Sequence, residues 1–205
     1  MALQELMKSY SQKKQAIRKR LMEFEEPKSE EQLLQEIVFC LLTPQSKAKP
    51  CWSSVESLAA NSLLYSGSEK QIRANLVCRF PNNKAKYVIE AREKFPEIRT
   101  AIASLKDQPS ELRDWLVKNV KGYGYKEASH FMRNIGLGQD IAILDRHILK
   151  NLKKHGAISS VPATLTPKKY QELEEQMKKF SEKSSIPMDE LDLLFWSEEA
   201  GEVFK

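Results

Sequence analysis

Cysteine is scarce in this chain of 205 residues: Cys40, Cys51 and Cys78 stand far apart, and none is part of a CxxC pair. A structural zinc or iron–sulfur site is therefore not expected, and the thiols read as buried and reduced. Long apolar runs are also missing. No segment approaches the ~20 apolar residues of a membrane span. Lys8, Lys13, Lys14, Arg18 and Lys19 interrupt any run near the start that a secretory signal would need, so a cytoplasmic, nucleoid-type location is expected. No stretch alternates apolar and polar residues in the manner of a strand, and there is no repeat or low-complexity tract. What remains is an all-α reading. Hydrophobic content of 41% with 30% charged residues suits a globular chain, long enough for one or two small domains with a real core. A net charge of +5 and a pI near 9.0 permit a polyanionic partner without requiring one.

Helical periodicity organises most of the chain. Residues 2 to 26 place Leu3, Leu6, Met7, Tyr10, Ile17, Leu21 and Phe24 near one stripe, and Pro27 stops that helix. Ser29-Glu-Glu-Gln32 matches a capping box and opens a second helix that ends at Pro44. A polar turn from Gln45 to Lys49 precedes Pro50, read as the first position of the next helix. Short helices are expected around Glu69 to Val77 and Ile98 to Leu105. Pro81-Asn-Asn83 reads as a turn before a helix over Lys84 to Lys94. Ser110 reads as the N-cap of the helix that follows Pro109. Near the C-terminal end, Gly156 reads as a helix stop, Thr166-Pro167 as an N-cap and N1 pair, and Asp189 to Ala200 as a last helix.

The most informative passage is Leu116 to Lys150. Apolar residues at Leu112, Trp115, Leu116 and Val120 keep helical spacing until Gly122 and Gly124 interrupt it, and the pattern resumes at Ala128, Phe131, Met132 and Ile135. This is a helix, a tight hairpin and a second helix. Glycine allows close approach of a foreign backbone, and amides at a helix start lack intrahelical acceptors, so the hairpin (Gly122, Tyr123, Gly124, Tyr125) suits an anion such as phosphate. Charge agrees: from Lys118 to Lys154 eight Lys or Arg face three acids.

Lys126 falls in the first turn of the second helix, where the helix dipole opposes an ammonium, a setting that suits a nucleophilic amine. From Lys126 to Gly136 the helix spans about 15 Å, and the nine residues from Leu137 to Asp145 reach back up to about 30 Å when extended. Asp145 can thus return to Lys126. Asp145 is also a good N-cap for the helix that follows. An amine and a carboxylate beside a phosphate-binding hairpin suit chemistry at a sugar carbon of DNA.

The segments Gly122-Tyr-Gly-Tyr-Lys126-Glu-Ala-Ser-His130 and Ile141-Ala-Ile-Leu-Asp145-Arg-His147 resemble the helix-hairpin-helix DNA glycosylases. Within that superfamily they are similar to the archaeal-type 8-oxoguanine DNA glycosylases with lyase activity. Leu41-Leu-Thr-Pro-Gln45-Ser-Lys47-Ala and Ala200-Gly-Glu-Val-Phe-Lys205 agree. The resemblance implies a two-lobed all-α fold with a DNA cleft between the lobes. One lobe would take residues 1–28 and 137–205. The other would take 29–136 and end in the helix-hairpin-helix at about 112–136.

It also implies a function: excision of 8-oxoguanine from duplex DNA, acting as a monomer on 8-oxoguanine or abasic sites. Lys126 would attack C1′ and form a Schiff base that leads to β-elimination, and Asp145 would stabilise positive charge developing on the sugar. Gln45 would fill the gap left by the flipped base, with Lys47 and Lys49 on neighbouring phosphates. Phe80, Asp192, Trp196 and Lys205 would form the base pocket, with Asp192 accepting from a purine N–H. Tyr123 takes a slot where relatives usually carry an aliphatic residue. His130 and His147 are read as packing residues outside the catalytic set. Two alternatives stand beside this reading: an oxidised-pyrimidine glycosylase on the same scaffold, and a non-catalytic hairpin DNA-binding module.

Overall fold

The computed structural model describes residues 2–205, and every regular element among them is a helix. In chain order these are α1 (Ala2–Glu25), α2 (Glu30–Leu42), α3 (Ala48–Ala60), α4 (Leu63–Ser66), α5 (Glu69–Ala74) and α6 (Pro81–Glu93). They continue as α7 (Phe95–Leu105), α8 (Pro109–Asn119), α9 (Tyr125–Asn134), α10 (Arg146–Lys154), α11 (Pro167–Ser184) and α12 (Met188–Ala200). Two compact units result. One holds the chain up to Glu26 together with Met132–Lys205; the other is Pro27–Phe131. The division falls inside α9, whereas the sequence reading set it after Gly136.

In the Pro27–Phe131 unit, the capping box at Ser29 forms as expected: its hydroxyl accepts from Gln32 N, and the Gln32 side chain accepts from Ser29 N. That start sets the register of α2, whose Ile37, Val38, Phe39, Cys40, Leu41 and Leu42 are fully or almost fully buried. Helices α3 and α6 pack against α2. Three proline readings need correction. Pro50 is the third residue of α3 rather than its first. Pro81 is the first residue of α6, so Pro81-Asn-Asn83 is the opening turn of that helix and not a turn before it. Pro109 begins α8 with Gln108 at the cap, which leaves Ser110 inside the helix. A proline fits any first-turn position because no intrahelical bond is lost there, so its presence marks a start only to within a few residues. Cys40 and Cys51 are buried thiols outside any disulfide, and Cys78 is partly exposed. Burial pushes the Cys51 thiol up to about 11.

In the other unit, α1 and α12 pack together. Leu6, Tyr10, Ile17 and Phe24 are buried along α1, whereas Leu3 and Met7 of the expected stripe are exposed. The buried Glu190 of α12 accepts from Tyr10 Oη at 2.5 Å and from Arg18 Nε at 3.1 Å. Helix α10 opens at Asp145, whose carboxylate accepts from His147 N and Ile148 N at 2.7 and 2.8 Å. Thr166 caps α11 through Lys169 N. No helix among the described residues is long and apolar enough to cross a membrane.

Candidate active site

The hairpin lies between α8 and α9. Gly122 has φ +93°, and a Cβ there would meet Tyr87 Cδ2 at 2.7 Å and Leu41 Cδ2 at 3.1 Å, so only glycine fits. Tyr123 turns its side chain inward: it is buried, its hydroxyl donates to Ile37 O at 3.0 Å, and its ring lies 6.3 Å from that of Phe131. The hydroxyl thereby ties the hairpin to α2.

Two hairpin amides are already engaged. Tyr123 N donates to Val120 O at 3.1 Å, and Gly124 N donates to Glu127 Oε2 at 3.1 Å. The set of free amides expected for phosphate is narrower than the sequence suggested. Tyr125 is anchored outside the hairpin, its hydroxyl donating to Asp114 at 2.8 Å and its ring lying 5.2 Å below the Arg113 guanidinium.

Lys126 is the second residue of α9. Its ammonium lies 3.2 Å from Glu127 Oε1, in a pair whose side chains are 24% and 13% exposed. Glu127 thus holds the hairpin with one oxygen and Lys126 with the other. The sequence reading counted Glu127 only as a charge. Its place three residues after Gly124, at the start of a helix, was a capping signal that would have singled it out.

In the same unit, Gln45 is exposed in the turn after α2, in the left-handed region at φ +55°. Lys47, at the cap of α3, and Lys49 are exposed beside it. Phe80 is 51% exposed and also left-handed, at φ +58°, with the Arg79 guanidinium 5.1 Å from its ring. An exposed left-handed phenylalanine at a helix start is an unusual place for a purely structural ring.

Asp145, Asp192, Trp196 and Lys205 belong to the other unit. Both capping bonds of Asp145 land on Oδ1, so its role at the start of α10 leaves Oδ2 out of the cap. Asp192 is buried and receives Arg133 Nη1 at 2.7 Å. Burial, offset by Arg133 and reinforced by Asp145 and Asp189, raises its carboxyl to about 7. Asp192, expected to accept from a purine N–H, thus already accepts from Arg133 through Oδ2. Sequence gave no hint of Arg133, which arrives from α9 and stacks its guanidinium 5.0 Å from Phe24. Trp196 is partly exposed with its ring 6.4 Å from Phe204, Leu193 and Leu194 are buried, and Lys205 is 8% exposed. Arg20 holds the end of this segment by donating to Phe204 O at 2.7 Å. His130 is buried edge-on to Phe39, while His147, expected as a packing residue, is partly exposed 3.6 Å from Glu199.

The chain resembles known proteins along most of its length. The family described as 8-oxoguanine DNA glycosylase matches residues 17–186. A protein of Fusobacterium nucleatum named 8-oxoguanine DNA glycosylase/AP lyase is 45% identical, the match covering 98% of this chain and 96% of that protein. A protein of the same name from Korarchaeum cryptofilum is 40% identical over 95% of this chain and 93% of its own. Among solved structures, the Methanocaldococcus jannaschii 8-oxoguanine glycosylase/lyase in complex with a 15mer DNA containing 8-oxoguanine superposes with a TM-score of 0.88 at 32% identity. That match covers 98% of this chain and 100% of the other. By sequence and by fold, this chain belongs to the 8-oxoguanine DNA glycosylase family.

Proposed function

We propose that the chain is a bifunctional DNA glycosylase and abasic-site lyase that excises 8-oxoguanine from duplex DNA. What carries the reading is Lys126, an amine in the first turn of α9 directly behind a glycine hairpin, in a chain 45% identical to a protein named 8-oxoguanine DNA glycosylase/AP lyase. The unprotonated amine attacks C1′ of the damaged nucleotide, and the glycosidic bond breaks with its electron pair leaving on the base. The sugar ring opens to give an imine between Lys126 and C1′. Loss of a C2′ proton then expels the 3′ phosphate by β-elimination and nicks the strand. Asp145 acts as the carboxylate that offsets positive charge on the sugar while the base departs.

Gln45 fills the space vacated by the flipped nucleotide, and Lys47, Lys49 and the Gly122–Tyr125 hairpin contact phosphates. Phe80, Trp196 and Lys205 contact the extruded base, with Asp192 acting through its pair with Arg133. The scheme draws only on side chains of this chain, with no metal or redox cofactor, and the enzyme works as a monomer in the cytoplasm at the nucleoid.

The test is borohydride trapping on a duplex with a single 8-oxoguanine, with the native protein and Lys126→Gln compared. A covalent adduct formed by the native protein alone is expected. Duplex binding by both proteins without any adduct would reject the imine mechanism in favour of a non-catalytic hairpin module. Trapping on an oxidised pyrimidine in preference to 8-oxoguanine would move the substrate to that class.

A further inference from the structure

The lysine at position 84 has no place in the scheme above, yet it is among the most buried charged groups in the Pro27–Phe131 unit, 4% exposed in the first turns of α6. Its ammonium donates to Leu42 O at 2.7 Å, to Pro44 O at 2.8 Å and to Ser46 Oγ at 3.1 Å. All three acceptors bracket Gln45. A cation at the C-terminal carbonyls of α2 is electrostatically favoured, but an exposed lysine would serve that purpose without the desolvation that lowers this amine's pKa.

The hydroxyl of Ser46 extends the contact. It donates to Pro44 O at 3.3 Å and accepts Arg79 N at 3.0 Å, so the residue that precedes Phe80 is tied to the same cluster. Among the described residues four besides glycine have positive φ, and two of them, Gln45 and Phe80, sit on the two segments of chain joined by this cluster. Both are exposed. Left-handed backbone at residues other than glycine is strained and persists only where the surroundings over-determine it.

From this geometry we infer that Lys84, with Ser46 as its relay, is a positioning residue that presets the Gln45 turn for insertion into the DNA stack and fixes the Arg79–Phe80 segment beside it. The inference rests on the reading that Gln45 contacts DNA. Lys84 touches neither the base nor the sugar. Its ammonium replaces the flexibility of a five-residue turn with three directed hydrogen bonds, so Gln45 meets the duplex already shaped.

The test uses the full chain and a duplex carrying a tetrahydrofuran abasic analogue flanked by 2-aminopurine, whose fluorescence rises when a side chain unstacks it. Native protein, Gln45→Ala, Lys84→Met and the double variant are compared, with helicity and melting recorded for each. Methionine keeps the apolar stem and removes the donors. The fluorescence rise of Lys84→Met is expected to fall to that of Gln45→Ala, with no further fall in the double variant. Base removal from an 8-oxoguanine duplex should drop about 100-fold, as displaced positioning groups allow. Nicking of a preformed abasic site, where no base is extruded, should stay within about threefold.

A folded Lys84→Met that keeps the native fluorescence rise, or that loses base removal and abasic nicking equally, overturns the inference. So does a Gln45→Ala that behaves as the native protein. Should Lys84→Met not fold, Ser46→Ala takes its place, with a partial loss of the fluorescence rise expected and full retention overturning the relay. A native protein that gives the fluorescence signal but removes no 8-oxoguanine would defeat the proposed function and leave the positioning role standing.

Discussion

The carboxylate of Glu127 bridges the ammonium of Lys126, 3.2 Å away, and the amide of Gly124, 3.1 Å away. One residue thereby engages both the proposed nucleophile and a donor of the hairpin. A negative charge at that place opposes an incoming phosphate and occupies an amide that the phosphate would use. Glu127→Gln keeps an acceptor for Gly124 N and removes the charge. It should bind an 8-oxoguanine duplex about 2- to 5-fold more tightly at low salt, given the 0.2–1 kcal/mol scale of partly exposed charge interactions. Glu127→Ala should also bind more tightly but lose about 1 kcal/mol of stability with the cap. Fluorescence anisotropy and urea unfolding measure the two effects, and weaker binding by Glu127→Gln would contradict this account.

Asp145 combines two tasks that one substitution can separate. Its Oδ1 caps α10 through His147 N and Ile148 N, and its charge is proposed to act on the sugar. Asparagine caps helices about as well as aspartate, so Asp145→Asn should change stability by no more than about 0.5 kcal/mol, while Asp145→Ala should lose about 1 kcal/mol. Both should lower single-turnover base removal by about 100- to 1000-fold, the scale of losing one transition-state electrostatic contact. An Asp145→Asn enzyme with native rate would confine the residue to capping.

The parts of this molecule legible in sequence are those whose signal is local. The Ser29 to Gln32 capping box, the Asp145 and Thr166 N-caps, and the break at Gly122 and Gly124 each depend on residues within a few positions, and each is present. Starts marked by proline were legible only to within a turn, as Pro50, Pro81 and Pro109 show. The rest depends on tertiary partners. Nothing near Lys84 announces that its amine is buried against the end of α2, and nothing near Asp192 announces Arg133. Tyr123 looked like a departure from an aliphatic position because its partner, Ile37 O, lies in a distant helix. Lys126 and Asp145 could be singled out as candidates from spacing and motif, and Glu127 from its place three residues after Gly124, but Arg133 could not.

Asp192 makes stability depend on pH. Its carboxyl, raised to about 7 from 3.8 chiefly by burial, keeps a proton in the folded protein that the unfolded chain releases. Between those two values the native state binds more protons, so stability falls as pH rises, and the fall levels off above about 7. From about pH 5 to about pH 8 this one group removes on the order of 2–3 kcal/mol. Asp192→Asn lacks that slope although it leaves Arg133 without its charged partner. The native protein should therefore lose melting temperature relative to Asp192→Asn over that range, by several degrees at about 2–4 °C per kcal/mol. Parallel melting curves across pH would show that Arg133 keeps the carboxylate ionised throughout.

The two hairpin glycines should differ sharply. At Gly122 the backbone is left-handed at φ +93°, and a Cβ would press on the Tyr87 ring at 2.7 Å and on Leu41 at 3.1 Å. Gly122→Ala combines a positive-φ penalty of about 1 kcal/mol with overpacking of about 1–3 kcal/mol, for a total of about 2–4 kcal/mol. At Gly124 the nearest contact for a Cβ is Glu127 Oε2 at 3.2 Å, the end of a side chain that can give way. Gly124→Ala should cost less than about 1 kcal/mol and act instead on DNA, since the methyl stands beside the amide a phosphate approaches. Urea unfolding then ranks Gly122→Ala as the less stable, and duplex affinity per folded molecule ranks Gly124→Ala as the more impaired in binding. Equal stabilities with equal losses of affinity would mean that both glycines serve phosphate approach alone, and that the contacts of Gly122 with Tyr87 and Leu41 constrain nothing.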